Sequence, residues 1–336
     1  MTDVSSLTYE QLCDFISDIG EPKFRAKQIF EWLSRGVLSF DEMTNLSKSL
    51  RQKLAEHATM ATLSVKKKLI DTDGTIKYLF ELSDGNLIET VVMTYKHGKS
   101  VCISSQAGCR MGCKFCASTL GGKNRDLTAG EMLLQAAYAN RENGISNVVV
   151  MGVGEPLDNY DNLIIFLKNL KDENGLNISH RHVSVSTCGI VPKIDELANE
   201  DMQITLSISL HAPDDETRQT LMPINATYNI KKLMSACDRY FEKTGRRISF
   251  EYTLVKDVND TAAHAERLSR LLSGKNCHVN LIPVNYVAER GLSPSDKATA
   301  DRFLKILTKN GLNATMRRTL GGEINASCGQ LRHNEK

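Results

Sequence analysis

The chain has 336 residues, of which 41% are hydrophobic and 24% charged, and its formal net charge at pH 7 is +2. This composition is typical of a folded globular protein and excludes extended disorder. The longest apolar runs are too short to cross a bilayer, and the first residues lack the pattern of a secretory signal, so we expect a cytoplasmic protein without a membrane segment. For such a protein, nine cysteines predict reduced thiols that act as ligands, catalysts or packing residues.

The nearly balanced charge leaves only local basic groups. They are Lys66 to Lys68, Lys123 with Arg125, Arg246 with Arg247, and Arg317 with Arg318. Short runs of this kind usually form solvated faces, so composition alone does not predict nucleic-acid binding.

The first 99 residues divide into two parts by pattern. Residues 1–60 contain three amphipathic stretches, at 9–19, 23–33 and 47–58, and are predicted to form a small, mainly helical accessory domain. Residues 61–99 have the alternation of strands, with the turn signal SDG between TIKYLFEL and NLIETVVM. We expect this second part to be a β-rich linker that leads into the core.

Residues 100–336 alternate between apolar segments and helix-like stretches. The apolar segments are VCISS, NVVVMGVG, HVSVSTCG, ITLSISLH, ISFEYTLV and HVNLIPV. Six strands that alternate with helices predict an α/β domain with a parallel sheet. The first helix carries a start signal, because Thr128 and Glu131 fit a capping box.

Polar residues and glycines follow these predicted strands at the point where each ends. They are the cysteine-rich loop after the first strand, then Gly152, Gly154, Glu155 and Pro156, then Ser186 and Gly189, then Ser209 and His211, and finally Pro283 and Asn285. Because the carboxyl ends of parallel strands meet at one edge of a sheet, these residues are expected to form a single active site.

The loop after the first strand contains Cys109, Cys113 and Cys116 in the pattern CxxxCxxC. A structural zinc site usually takes four ligands as two CxxC pairs, and the sequence has no second such pair. Three thiolates on a cluster of four irons would leave one iron open for an exogenous ligand. The spacing therefore favours an iron–sulfur cluster with one free position.

With this loop in view, the sequence resembles the radical S-adenosylmethionine (SAM) superfamily, and within it the RlmN/Cfr family of RNA adenine methyltransferases. The resemblance covers essentially the whole chain. It is carried by VCISSQAGCRMGCKFCASTLGGKNR, MGVGEPLDNYDNL, SISLHAPDDETR, LMPIN, LIPVN and INASCGQLR. It implies a partial (β/α)6 barrel with an N-terminal accessory domain, a 4Fe–4S cluster bound by the three cysteines, and SAM as cofactor.

The resemblance also implies roles for individual residues. Cys328 matches the cysteine that one SAM methylates, and a second SAM then supplies the radical that removes hydrogen from this methyl group. Cys102 matches the thiol that resolves the RNA–protein adduct, and Glu89 matches the proposed proton acceptor; how these two share the deprotonation stays open. The residues matched to SAM contacts are Gly154, Glu155, Ser186, Ser209, Leu210, His211 and Asn285.

Taken one at a time, several of these residues have an ordinary structural explanation. His211 alone would be a turn histidine, Glu89 an exposed strand carboxylate, and Cys102 or Cys328 a small buried residue. The remaining cysteines match no family role and are predicted to be packing residues; they are Cys13, Cys188, Cys237 and Cys277.

The implied substrates are 23S rRNA at the peptidyl-transferase centre and the tRNA adenosine 3′ of the anticodon, both methylated at C2. Pro156 resembles the C2 enzymes; methylation at C8 of the same rRNA base, which confers antibiotic resistance, is the alternative. A non-catalytic iron–sulfur RNA-binding or redox-sensing protein is the second alternative. We further expect a flavodoxin-type reductant, a monomer, and no DNA partner.

Overall fold

The structure is a computed structural model, and it describes residues 1–96 and 98–331. Arg332, the last residue of the INASCGQLR motif, lies outside these residues. The first 59 residues form two paired strands, β1 (Thr2–Asp3) and β2 (Ala58–Thr59), and three helices, α1 (Tyr9–Asp18), α2 (Phe24–Ser34) and α3 (Lys48–His57). Their apolar side chains, including Leu12, Ile29 and Leu54, form a hydrophobic cluster of their own.

Four strands follow without an intervening helix. They are β3 (Leu63–Ile70), β4 (Ile76–Leu82), β5 (Leu87–Tyr95) and β6 (Gly98–Ile103). Each pairs antiparallel with the next, and β6 also pairs parallel with a later strand, at Asn147–Val150. Residues 61–99 are thus continuous with the main sheet, and β3 lies at one edge of it.

The rest of the chain alternates between strands and helices. A small antiparallel pair comes first, β7 (Gln106–Gly108) with β8 (Lys123–Asp126), on either side of the cysteine loop. The elements after it are α4 (Ala129–Asn143), β9 (Asn147–Val150), α5 (Tyr160–Lys171), β10 (Val183–Thr187), α6 (Val191–Leu197), β11 (Thr205–Ser209), α7 (Asp215–Leu221), α8 (Ile230–Thr244), β12 (Ile248–Leu254), α9 (Ala262–Leu272), β13 (Cys277–Pro283), α10 (Lys297–Lys309) and β14 (Ala314–Met316). Thr128 caps α4 through the predicted box with Glu131.

The main sheet has the strand order β14-β13-β12-β11-β10-β9-β6-β5-β4-β3. Its strands from β6 to β14 are parallel and are joined by helices, so the predicted α/β barrel architecture is confirmed. The six predicted strands correspond to β6 and β9 to β13. The short strand β14 was not predicted, because three half-buried or exposed residues give no apolar run.

A large hydrophobic core lies between the sheet and its helices. The inward residues of the strands, such as Val148, Val185 and Ile208, are fully or almost fully buried against residues of α4, α5 and α8. The helical part of the chain is attached at α4, where Ser6 Oγ accepts the Gly130 amide at 3.0 Å. Among the described residues, no helix is long and apolar enough to span a membrane.

Candidate active site

A cavity lies at the carboxyl ends of the parallel strands. The sequence-predicted residues in its lining are Cys109, Cys113, Cys116, Gly152, Gly154, Glu155, Pro156, Ser186, Ser209, His211, Pro283, Asn285 and Cys328. These residues come from the cysteine loop, from four strand ends and from a segment more than 200 positions later in the chain. The position of the site at the strand ends follows from the parallel topology.

Tight backbone turns hold the three loop cysteines in the lining of the cavity. The Cys109 amide donates to the Gly122 carbonyl at 2.8 Å. Gly108 has a φ of +81°, and a Cβ there would lie 2.0 Å from the same carbonyl oxygen, so a larger residue would push the two loop strands apart.

The thiols of this loop have strongly perturbed protonation. Burial raises the pKa of Cys109 to about 12 and also raises the pKa of Cys113 and Cys116, and the charges of neighbouring thiolates act in the same direction. Hydrogen bonds from the Met111 amide to Cys109 and from Ser118 to Cys116 oppose this effect. Thiolates in such a place need cationic partners, and an iron–sulfur cluster supplies them.

This donor set fits a 4Fe–4S cluster. Three cysteine sulfurs, two of them with hydrogen-bond donors, border a cavity with room for a further ligand. Among residues 1–96 and 98–331, no group of three or more His, Cys, Asp or Glu side chains is arranged to hold a single metal ion. A cubane cluster does not require such a group, because each thiolate binds a different iron.

Glu155 joins two strand ends through its carboxylate. One oxygen accepts the Leu157 amide at 3.1 Å and the other accepts the Cys188 amide at 2.7 Å. Burial raises the pKa of Glu155, and these amides partly offset that effect. Gly154, with a φ of +115°, brings the loop so close to Gln106 that a Cβ would lie 2.7 Å from its side chain. Gly154 and Glu155 therefore shape this wall of the cavity.

His211 is buried and neutral. Its Nδ1 accepts the Thr253 amide at 2.9 Å, so the proton is on Nε2, which is available as a donor. Burial, with a smaller contribution from the nearby Arg218 charge, lowers the pKa of His211 to about 3. The ring also packs edge-on against Phe115 of the cysteine loop, with centroids 4.6 Å apart. His211 thus connects the cysteine loop to β12.

Arg218, for which the sequence predicted no role, is fully buried behind the cavity. Its Nε donates to the Leu210 carbonyl at 3.1 Å, and Nη2 donates to the carbonyls of Cys188 at 2.7 Å and Ser209 at 3.2 Å. Burial lowers the pKa of Arg218, and thiolates at Cys188 and Cys113 would raise it. One cation thus holds the ends of β10 and β11 together.

Residues 319–331, here called the Cys328 segment, return from β14 to the cysteine loop. The Ala117 amide donates to the Gly329 carbonyl at 2.7 Å, and the Ser118 hydroxyl donates to the Leu331 carbonyl at 2.7 Å. Both donors directly follow Cys116. The cysteine loop therefore holds the backbone of the Cys328 segment at Gly329 and Leu331, directly after Cys328.

Asn285 and Arg317 complete the surroundings of Cys328. Asn285, expected to contact SAM, donates its Nδ2 to the Cys328 carbonyl at 2.9 Å. The expectation of a solvated Arg317 was wrong, because its side chain lines the cavity beside Cys328 and Glu251. The pKa of Arg317 is raised, first by the charge of a Cys328 thiolate and then by the Glu251 carboxylate, against the effect of burial.

Cys102 lies on β6 beneath the Cys328 segment. It is buried in a small apolar cluster with Val91 of β5 and Ala326 of the segment. Burial raises the pKa of Cys102 to about 12, a Cys328 thiolate raises it further, and the Arg317 charge opposes both. A charge on Cys328 thus affects the pKa of Cys102, and Cys102 is a neutral thiol near neutral pH.

Glu89 is buried in β5 rather than exposed, and it lies against Lys77 of β4. The distance from Lys77 Nζ to Glu89 Oε1 is 2.7 Å, and the two side chains are 7% and 2% exposed. Lys77 was not predicted from the sequence, because a lysine in an alternating strand is ordinarily a surface residue. The cavity lining includes neither Glu89 nor Cys102.

Leu210 and three of the four remaining cysteines lie away from the cavity. Leu210 is fully buried in the main core, and its carbonyl rather than its side chain faces Arg218. Cys237 and Cys277 pack in the same core, and Cys13 packs against the helical cluster. Cys188 packs in a small apolar cluster with Met222 and Val255, and it also lines the cavity.

Family models and sequence relatives match this chain over nearly its whole length. The family model of the radical SAM superfamily matches residues 103–268, and that of the ribosomal RNA large subunit methyltransferase N-terminal domain matches residues 2–60. A protein of Lachnoclostridium phytofermentans, named probable dual-specificity RNA methyltransferase RlmN, is 55% identical over 98% of this chain and 94% of its own length. A protein of the same name from Lachnospira eligens is 55% identical over 99% of this chain and 96% of its own.

A solved structure gives the same result for the fold. The crystal structure of a radical SAM methyltransferase from Sphaerobacter thermophilus superimposes with a TM-score of 0.96 and 43% sequence identity, over 99% of this chain and 100% of that one. The family implies a 4Fe–4S cluster, SAM and an RNA substrate. The full-length identity, the fold and the three-cysteine cavity together show that the chain belongs to the RlmN family of radical SAM RNA methyltransferases.

Proposed function

We propose that the protein methylates C2 of an adenosine in 23S rRNA at the peptidyl-transferase centre, and C2 of the adenosine 3′ of the anticodon in tRNA. The relatives named dual-specificity RNA methyltransferases support two RNA substrates. The observation that carries the proposal is the position of Cys328, which shares one cavity with Cys109, Cys113 and Cys116. A cysteine that carries the methyl group must lie near the source of the radical, because the radical removes hydrogen from that methyl group.

The three loop cysteines would hold one 4Fe–4S cluster, and the cavity beside them would hold SAM. When bound, these cofactors supply the methyl groups, the hydrogen-abstracting radical and the sink for the electron that the adduct gives up. Two SAM molecules are consumed for each methylation. The SAM-facing residues are the strand-end set, in which His211 offers an Nε2 donor and Ser186 and Ser209 offer hydroxyls.

The chain's own residues would carry the methyl group and release the product. Cys328 carries the methyl group as S-methylcysteine, and its methylene carbon becomes bonded to C2 of the base. Glu89 accepts the proton that leaves C2, and the electron pair of that C–H bond restores the aromatic ring. The Cys102 thiolate then attacks the Cys328 sulfur; a disulfide forms, the carbon–sulfur bond breaks, and the methylene carbon keeps the electron pair and takes up a proton.

We also propose a division of labour along the chain. Residues 1–60 form an accessory domain that contacts RNA, residues 61–99 lead into the core, and residues 100–336 form the catalytic core, of which the last five lie outside the described part. Lys66 to Lys68 are exposed on the edge strand β3 and would contact phosphates. Lys66 also pairs with Glu81 at 2.9 Å, but Arg125 is a weaker candidate, because its less exposed guanidinium pairs with both Asp84 and Glu131. Such an enzyme would work as a cytoplasmic monomer with a flavodoxin-type reductant.

Nucleoside mass spectrometry tests the reaction. The protein is reconstituted with iron and sulfide, incubated anaerobically with SAM, reductant and either 23S rRNA or tRNA, and the RNA is digested. 2-Methyladenosine in both RNAs is expected. 8-Methyladenosine alone would show that the enzyme methylates C8. No methylated adenosine despite an intact cluster would favour a non-catalytic iron–sulfur protein that binds RNA or senses redox state.

Cys328→Ala tests the methyl carrier in the same assay. The variant is expected to keep the visible absorption of the cluster and to lose all methyl transfer, because alanine cannot hold the methyl group. Cys237→Ala, which removes a buried thiol outside the cavity, is the matched control and is expected to stay active. Normal methyl transfer by Cys328→Ala would rule out the S-methylcysteine route.

A further inference from the structure

Two exposed large apolar side chains lie on the loops that hold the Cys328 segment. Tyr286, in the loop after β13, is 68% exposed, and Leu120, in the cysteine loop, is 41% exposed. The two loops are joined, because Arg290 donates from Nη2 to the hydroxyl of Thr119, the residue before Leu120. Single exposed apolar residues are common on protein surfaces, but here an aromatic ring adjoins the part of the chain that carries Cys328.

The backbone around Tyr286 is fixed. The preceding residue, Asn285, lines the cavity and donates its Nδ2 to the Cys328 carbonyl at 2.9 Å. The Tyr286 carbonyl accepts Gln330 Nε2 at 3.1 Å, and the next residue, Val287, is buried. The ring is therefore exposed on a well-anchored loop, so little backbone order has to be lost when a ligand covers it.

The Cys328 segment is fixed at its start as well. Asp73, in the turn before β4, accepts the Gly321 amide at 2.9 Å, and Asp71 accepts the Glu323 amide at 3.0 Å. The segment and the loop after β13 thus form one firm edge of the cavity, with Tyr286 on its outer side.

Tyr286 does not itself line the cavity, whose lining from this loop ends at Asn285. A group that covers the ring therefore leaves the cavity free for SAM and for the base that reacts. In the proposed reaction C2 of adenine has to reach Cys328, so the target nucleotide leaves its stack and enters the cavity. A neighbouring nucleotide then stays outside, with one face of its base uncovered.

We propose that Tyr286 binds the RNA substrate by stacking its ring on the unpaired base next to the adenosine that enters the cavity. This inference rests on the proposed function, which supplies the target adenosine. Aromatic rings stack on any base, because every base has a π face, and tyrosine does so with few rotatable bonds to fix. The RNA has to pass the edge where Asn285 holds Cys328, whereas a protein reductant needs only to come near the cluster.

Fluorescence anisotropy with a labelled tRNA anticodon stem-loop or a labelled 23S rRNA fragment tests the contact. The full-length protein is reconstituted and given SAM but no reductant, so that binding is measured without turnover. Tyr286→Ala is expected to weaken RNA binding about tenfold, and Tyr286→Leu, which is apolar but has no ring, by a similar factor. Tyr286→Phe keeps the ring and is the matched control, expected to stay within about twofold of wild type. The salt dependence of binding should be the same in all four proteins, because no phosphate contact is removed.

A second readout reports stacking directly. 2-Aminopurine, whose fluorescence falls when it stacks on an aromatic ring, replaces the nucleotide on one side or the other of the target adenosine. At one of the two positions, the fluorescence of the complex is expected to be severalfold higher with Tyr286→Ala than with wild type or Tyr286→Phe. Equal fluorescence in the three complexes at both positions would overturn the inference.

A folding defect is excluded by the melting temperatures, which are expected to match wild type because the substituted side chain is exposed. Wild-type RNA affinity in Tyr286→Ala, together with methylation by the wild-type protein, would reject the stacking role and leave the proposed function standing. Normal RNA binding with slower reduction of the cluster by flavodoxin would assign the ring to the reductant instead, and the inference would again be wrong. If the wild-type protein binds RNA but forms no methylated adenosine, the proposed function itself fails.

Discussion

His211 makes the stability of the folded protein depend on pH in a way that can be worked out from the structure. Its pKa is about 3 in the folded protein, because of burial and then of Arg218, against an ordinary value of 6.5. Between these values the unfolded chain binds a proton that the folded protein does not. The contribution of neutral His211 to the free energy of unfolding is therefore complete above about pH 7. It is lost progressively as the pH falls towards 3.

The expected size of this effect follows from linkage. Between pH 7 and pH 5, the proton taken up by the unfolded chain at His211 lowers the free energy of unfolding by about 2 kcal/mol. His211→Asn is a suitable comparison, since asparagine tolerates the backbone φ of +57° at this position and its side-chain oxygen can accept the Thr253 amide. Asparagine has no ionisable group, so position 211 of the variant binds no proton between pH 7 and pH 5.

Urea unfolding of both proteins without cofactors, followed by circular dichroism at pH 7 and pH 5, measures the difference. Wild type is expected to lose about 2 kcal/mol more than His211→Asn over this interval. Other histidines contribute equally to both proteins and cancel. Equal losses in the two proteins would show that His211 is protonated in the folded state, and the assignment of a neutral Nε2 donor would then be wrong.

Two further substitutions test the walls of the cavity. Arg218→Met leaves the carbonyls of Cys188 and Ser209 without their donor; since each unsatisfied buried acceptor costs about 1–3 kcal/mol, urea unfolding is expected to show a loss of about 3–5 kcal/mol. A loss below about 1 kcal/mol would mean that the strand ends do not depend on this cation. Gly154→Ala places a Cβ 2.7 Å from Gln106 and is expected to weaken SAM binding at least tenfold in equilibrium dialysis. Gly245→Ala is the control, because Gly245 also has a positive φ but has open space around it, and this variant should bind SAM normally. Equal SAM affinity in both glycine variants would refute the close-approach argument.

Sequence reasoning located the cavity because its main features depend on local pattern and parallel topology. Apolar segments gave six strands, and the polar residues that follow them, such as Glu155 and His211, had to meet at one edge. The cysteine loop was recognisable from spacing alone. These signals need no knowledge of which distant side chains touch.

The residues that sequence reasoning missed have functions created by tertiary contacts. Lys77 lies in an alternating strand like many surface lysines, and only its pairing across β4 and β5 buries it with Glu89. Arg218 lies in a short charged helix, yet its guanidinium reaches the ends of β10 and β11. Arg317 stands beside a second arginine, which favours a surface reading, but β14 directs it into the cavity.

The docking of the Cys328 segment has a consequence for the order of folding. Its contacts with Asp71 and Asp73 join residues 248 to 252 positions apart, and such distant contacts carry a large loop-closure entropy until the intervening sheet has formed. The segment is therefore expected to dock late, and to detach first when the protein is heated, with the cysteine-loop cavity still assembled. Partial unfolding would then separate Cys328 from the three loop cysteines before the cysteine loop itself unfolds.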